Sequence, residues 1–147
     1  MANFENLYRA VIMDHYKTPR NKGLLNDNDY VSTEFLNPSC GDEVIVQFKI
    51  DNDNNIKDIR HDGKGCSICC SSASIMSEAL ITQSKDQALE IINEFYEMIK
   101  GNEYNAELIN GDILAFTGVS TFAARVKCAT LAWKALEKGL RKNEEKK

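Results

Sequence analysis

Three features of the 147-residue sequence predict an α+β fold, a small three-stranded antiparallel sheet with helices packed on it. An alternating apolar run at 43–50 leads through turn-forming residues into a second short strand pattern. Helical periodicity governs the chain before this block and again after it. Strands gathered in one stretch and followed by a run of helices are the order of an α+β domain, not of alternating α/β units. The length suits one domain over residues 1–147, and no repeat or low-complexity linker divides it.

Phe4, Leu7, Tyr8, Val11 and Ile12 recur at three- and four-residue spacing behind a possible Asn3 cap, predicting a first helix that runs to about Tyr16 and is ended by Pro19. The polar stretch at 20–30 should cross the surface. Val44, Val46, Phe48 and Ile50 share one face of a strand, and the Asn/Asp run at 51–55 turns it into a second strand near 56–61. A shorter strand near 31–36 joins them, because a lone hairpin buries too little surface to be stable. After Gly63-Lys64-Gly65 the pattern turns helical, with Cys66 at or just before the first turn. Ser84 and Gln87 form a capping-box signature for a helix whose stripe from Ala88 to Ile99 stops at Gly101. A short helix is expected near 112–116. A long final helix then buries Val126, Ala129, Trp133, Leu136 and Leu140, with Cys128 off that stripe. Residues from about 141 to 147 read as a solvated, flexible tail.

A net charge of −4 is the wrong sign for attraction to nucleic acid phosphates, so a protein partner is expected instead. No segment has the unbroken apolar length of a membrane helix, and no secretory signal opens the chain, which points to the cytoplasm. Thiols there stay reduced, and 5 cysteines, an odd number, argue for metal binding or thiol chemistry over a disulfide framework.

Three cysteines fall at turning points: Cys40 between two strands, Cys66 at a helix start, and Cys128 on a helix face turned from the core. Gly41 lets the backbone turn tightly enough for the Cys40 thiolate and the Asp42 carboxylate to face one centre. Zinc accepts both ligand types in a tetrahedral site. Spacing alone leaves a second reading open, in which these cysteines are small buried hydrophobes.

The blocks Pro38-Ser39-Cys40-Gly41-Asp42, Gly63-Lys64-Gly65-Cys66-Ser67-Ile68 and Arg125-Val126-Lys127-Cys128-Ala129-Thr130-Leu131-Ala132-Trp133 resemble the three motifs of the IscU-like family of iron–sulfur cluster assembly proteins. Within it the chain is similar to the SufU branch, marked by a long insertion between the second and third cysteines and a lysine, here Lys127, directly before the third. Leu7-Tyr8-Arg9, the stretch from Val11 to Lys17 and Pro19-Arg20-Asn21-Lys22-Gly23 extend the likeness nearly from end to end.

The resemblance implies a zinc site of Cys40, Asp42, Cys66 and Cys128. In it Cys40 accepts persulfide sulfur from a SufS-type cysteine desulfurase and relays it to a Suf cluster scaffold, a sulfurtransferase-like role. Transfer then needs Cys40 to leave the metal as a group on the desulfurase takes the vacated position, a partner-dependent ligand exchange. The resemblance assigns docking to Arg125, which shares a helix face with Cys128. Two further readings belong to other classes: a scaffold on which an iron–sulfur cluster is itself assembled, and a module whose zinc is structural and which regulates the desulfurase.

Four positions depart from the family pattern. Cys69 and Cys70 replace non-cysteine residues, and Cys66-Ser67-Ile68-Cys69 makes a CxxC in which Cys69 could compete with Asp42 for the metal, the other reading being two buried helix residues. Ala123 stands where proline is typical, and Glu43 where arginine is frequent. His15 is expected to pack or to face a partner, and His61 to lie near a strand end without ligating.

Overall fold

Asp51 closes a surface hairpin turn, its Oδ1 accepting from the amides of Asp53 and Asn55, each at 2.9 Å, while Asn54 takes a left-handed φ of 63°. The computed structural model describes residues 2–37, 41–119 and 123–145. Around the hairpin stand helix α1 (Ala2–Lys17), strands β1 (Val31–Asn37), β2 (Asp42–Ile50) and β3 (Ile56–Lys64), helices α2 (Ser67–Leu80) and α3 (Lys85–Ile99), a 3₁₀ helix (Gly111–Phe116) and helix α4 (Ala123–Glu145). The sheet is antiparallel in the order β1-β2-β3, as the alternation predicts.

The helix bounds refine several expectations. Asn3 lies inside α1 instead of capping it. Ser84 does cap α3, its hydroxyl accepting from the Gln87 amide at 3.1 Å, and Gly101 follows the last turn with a φ of 87°. The helix expected near 112–116 is a 3₁₀ helix. Of the residues read as a tail, 141–145 continue α4, and Arg141 pairs with Glu137 one turn earlier at 3.0 Å.

Val44, Val46 and Phe48 of β2 are buried, with α4 packed on β1 and β2 and α2 on β3. Phe48 sits so close to Gly139 of α4 that a Cβ there would collide with its ring, so glycine lets the helix lie flat on the sheet. Gly63, at φ 150°, has the backbone of Glu43 and Val44 where a Cβ would stand, which holds β3 tightly against β2 as the chain leaves for α2. Trp133 is stacked on Phe95 of α3, with ring centroids 3.9 Å apart, so the segment between Cys66 and Cys128 is packed into the same core.

Candidate metal centre

Strand alternation decides where Asp42 points. It has the parity of Val44, Val46 and Phe48, so its side chain enters the covered face of the sheet, and it is only 4% exposed. Cys66 occupies the N-cap position of α2, half-buried. Its amide donates to Asp42 Oδ1 at 3.2 Å, and its Sγ lies 3.8 Å from Asp42 Oδ2. Cys128, in the second turn of α4, completes the group: one donor atom from each of Asp42, Cys66 and Cys128 lies within 4.8 Å of the other two. Residue 40 lies outside the described residues, so the expectation for Cys40 has no counterpart here. Gly41, just before β2, takes a left-handed φ of 74°, a conformation that glycine adopts without strain.

Cys128 differs from its sequence reading. It was expected on a face turned from the core, yet it is 2% exposed and part of the core. The reason is that α4 packs against α2 on one side and the sheet on the other, so Leu131, Ala132 and Ala135 are buried beside the expected stripe, while Val126 is only half-buried. A helix gripped from two sides buries an arc wider than one stripe.

Three observations fit this donor set to a metal ion. Two thiols and a carboxylate suit zinc. Asp42 is a buried carboxylate with which, among the described residues, no basic side chain forms an ion pair, a costly state that a cation relieves. Gly65 leaves room for it: a Cβ there would stand 2.9 Å from Asp42 Oδ1 and 3.1 Å from Cys69 Cβ. The Gly-Lys-Gly run was visible in the sequence, but this role depends on a contact across the fold.

The other sequence-singled residues fall outside this group. Cys69 is buried in the core, and Cys70 is half-buried, its thiol 3.6 Å from the Gly65 carbonyl; burial pushes the Cys70 thiol up and makes it a poor thiolate at neutral pH. Arg125 and Lys127 are exposed on the first turns of α4. His61 is buried, its Nε2 2.7 Å from the Arg20 carbonyl, and burial holds its pKa below the ordinary value despite that bond.

Residues 7–147 match the family described as the NifU-like N terminal domain. The chain is 49% identical over 143 residues, 97% of its length and 95% of the relative's, to the protein of Bacillus subtilis (strain 168) named zinc-dependent sulfurtransferase SufU. It is 38% identical over 143 residues, 97% of this chain and 88% of the relative, to the iron-sulfur cluster assembly scaffold protein IscU of Streptococcus pyogenes serotype M1. The crystal structure of FiSufU from Fervidobacterium islandicum AW-1 superimposes with a TM-score of 0.80 at 37% identity, covering 88% of this chain and 93% of that one. With sequence, fold and the convergence of Asp42, Cys66 and Cys128 in agreement, the chain belongs to the NifU-like N-terminal domain family of iron–sulfur cluster assembly proteins.

Proposed function

We propose that this protein is a zinc-dependent sulfurtransferase of cytoplasmic iron–sulfur cluster assembly, which takes persulfide sulfur from a SufS-type cysteine desulfurase and delivers it toward a Suf cluster scaffold. The observation that carries the reading is the convergence of Asp42, Cys66 and Cys128 from a strand, a helix N-terminus and the last helix onto one small volume. The 49% identity to the B. subtilis relative supports sulfur transfer as its use.

Asp42, Cys66 and Cys128 would hold the zinc ion together with Cys40, and zinc would supply ionised thiolates at neutral pH. The chain's own residues do the rest. Cys40 is the acceptor: its sulfur attacks the terminal sulfur of the desulfurase persulfide, a new S–S bond forms on Cys40, and the desulfurase cysteine leaves as thiolate. Cys66 and Cys128 are anchored at the start of α2 and within α4. Arg125, exposed one turn before Cys128, is available to a partner's acidic group.

A single turnover with desulfurase and sulfur-labelled cysteine tests the proposal. Label is expected on Cys40, and Cys40→Ser should abolish both labelling and stimulation of the desulfurase while the fold is retained. Unchanged stimulation by Cys40→Ser would favour a regulatory zinc module. The scaffold reading, which the S. pyogenes relative keeps in view, predicts iron–sulfur absorption in protein isolated without oxygen; stoichiometric zinc without that absorption is the expected result.

A further inference from the structure

His15, Glu78 and Asp112 form a second constellation of ligand-bearing side chains, made from residues that the sulfur-transfer chemistry does not use. One donor atom of each lies within 4.8 Å of the other two. His15 stands near the end of α1 with its ring fully buried, Glu78 on the last turn of α2, and Asp112 in the 3₁₀ helix. The ring Nε2 is 2.8 Å from Asp112 Oδ2 and 3.7 Å from Glu78 Oε1, and Nδ1 is 2.7 Å from Ser74 Oγ.

We propose that His15 Nε2 and the Glu78 and Asp112 carboxylates bind a divalent first-row metal cation at a site separate from the thiolate centre. Donors that share one ion at bonds of about 2.1 Å lie roughly 3.0–3.4 Å apart in octahedral or tetrahedral arrangement. The observed separations of 2.8 and 3.7 Å bracket that range, and the half-exposed carboxylates can shift by the remaining few tenths. Without an ion, Nε2–H donates to Asp112 Oδ2; a cation would take the place of that proton, and with Nδ1–H then donating to Ser74 Oγ the ring would stay locked with its Nε2 lone pair toward the two carboxylates. Ser74 Oγ is itself held by the Arg20 amide at 2.8 Å.

The surroundings favour a cation independently of these three residues. Glu78 and Asp112 sit on the wall of a cavity of about 420 Å³ that also carries Glu107, Gln83 and Gln87, and none of its lining residues is basic. Arg20, the nearby guanidinium, pairs with Asp14 at 2.7 Å and more loosely with Glu78 at 3.8 Å, so a bound ion would share the Glu78 carboxylate with it. One imidazole, two carboxylates and open positions for water or a carboxamide oxygen form a nitrogen–oxygen donor set, whereas the thiolate centre selects softer ions. A bound ion would tie α1, α2 and the 3₁₀ helix together at one point.

Manganese(II) is the probe, because it prefers nitrogen and oxygen donors and its free ion gives a strong paramagnetic resonance signal. The full chain is expected to quench the signal of one equivalent of Mn²⁺, and Cys66→Ser, which cripples the thiolate centre, should quench it equally. The double variant Glu78→Gln, Asp112→Asn should bind at least tenfold more weakly while keeping its circular dichroism and its zinc content. Absence of Mn²⁺ binding by the wild-type chain, binding unchanged in the double variant, or binding lost in a folded Cys66→Ser variant would each overturn the proposal.

Discussion

The indole N–H of Trp133 donates to Ser72 Oγ at 2.9 Å, and the same hydroxyl donates to the Ala129 carbonyl at 2.5 Å. This two-bond bridge pins α2 to α4 next to Cys128, and so sets the spacing between the helix that begins at Cys66 and the helix that carries Cys128. Ser72→Ala removes the acceptor of a fully buried indole. The expected cost is about 1–3 kcal/mol of stability, the range for an unsatisfied buried donor, read as a lower urea midpoint. Zinc retention should fall with it, whereas Ser72→Thr, which restores the hydroxyl, should recover most of both.

Gly65→Ala puts a methyl group 2.9 Å from the Asp42 carboxylate and 3.1 Å from Cys69. The carboxylate must give way, so zinc affinity should drop by about 10- to 100-fold, as when groups supporting a metal ligand are altered. Competition with a chromogenic chelator measures it, and a wild-type affinity in the variant would show that Asp42 is not held where the metal needs it.

His61 gives the metal-free protein an acid-sensitive stability. Burial depresses its folded pKa below the ordinary value of about 6.5, so under acidic conditions the unfolded chain takes up a proton that the folded ring resists. Stability from this group is therefore full above about pH 6.5 and is lost as pH falls from there through the depressed folded value. His61→Gln, whose amide can still donate to the Arg20 carbonyl, should flatten that limb of the stability profile, measured by urea unfolding with chelator present.

Tyr30 should ionise late. Its hydroxyl donates to Asp58 Oδ2 at 2.6 Å, and that bond, helped by burial, pushes its pKa up to about 12. The stability it contributes is present below the unfolded value of about 10 and is lost as pH rises through 12. An alkaline absorbance titration of wild type against Tyr30→Phe isolates the step, and Asp58→Ala should move it back toward the ordinary tyrosine range.

How much of this could be read in advance varied with the range of the interaction. The Ser84–Gln87 cap is a contact between near neighbours, and it stood in the sequence as it stands in the structure. The alternation of β2 named the buried face and, carried back two residues from Val44, also covers Asp42. Cys66 at the start of α2 followed from the switch of periodicity after Gly65. Cys128 was misplaced because a single-stripe reading of α4 does not register that two partners grip the helix. His15 was foreseen only as packed or partner-facing, for its contacts to Ser74 and Asp112 join residues far apart in the chain and no local pattern encodes them.

The distribution of the donors along the polypeptide bears on when the centre can form during synthesis. Asp42 and Cys66 leave the ribosome well before Cys128, which belongs to α4, with α2, α3 and the 3₁₀ helix made in between. A nascent or truncated polypeptide thus lacks the third anchor and cannot capture an ion there in the native manner. Closure of the donor group is a checkpoint passed only by molecules in which α4 has docked on α2 and the sheet.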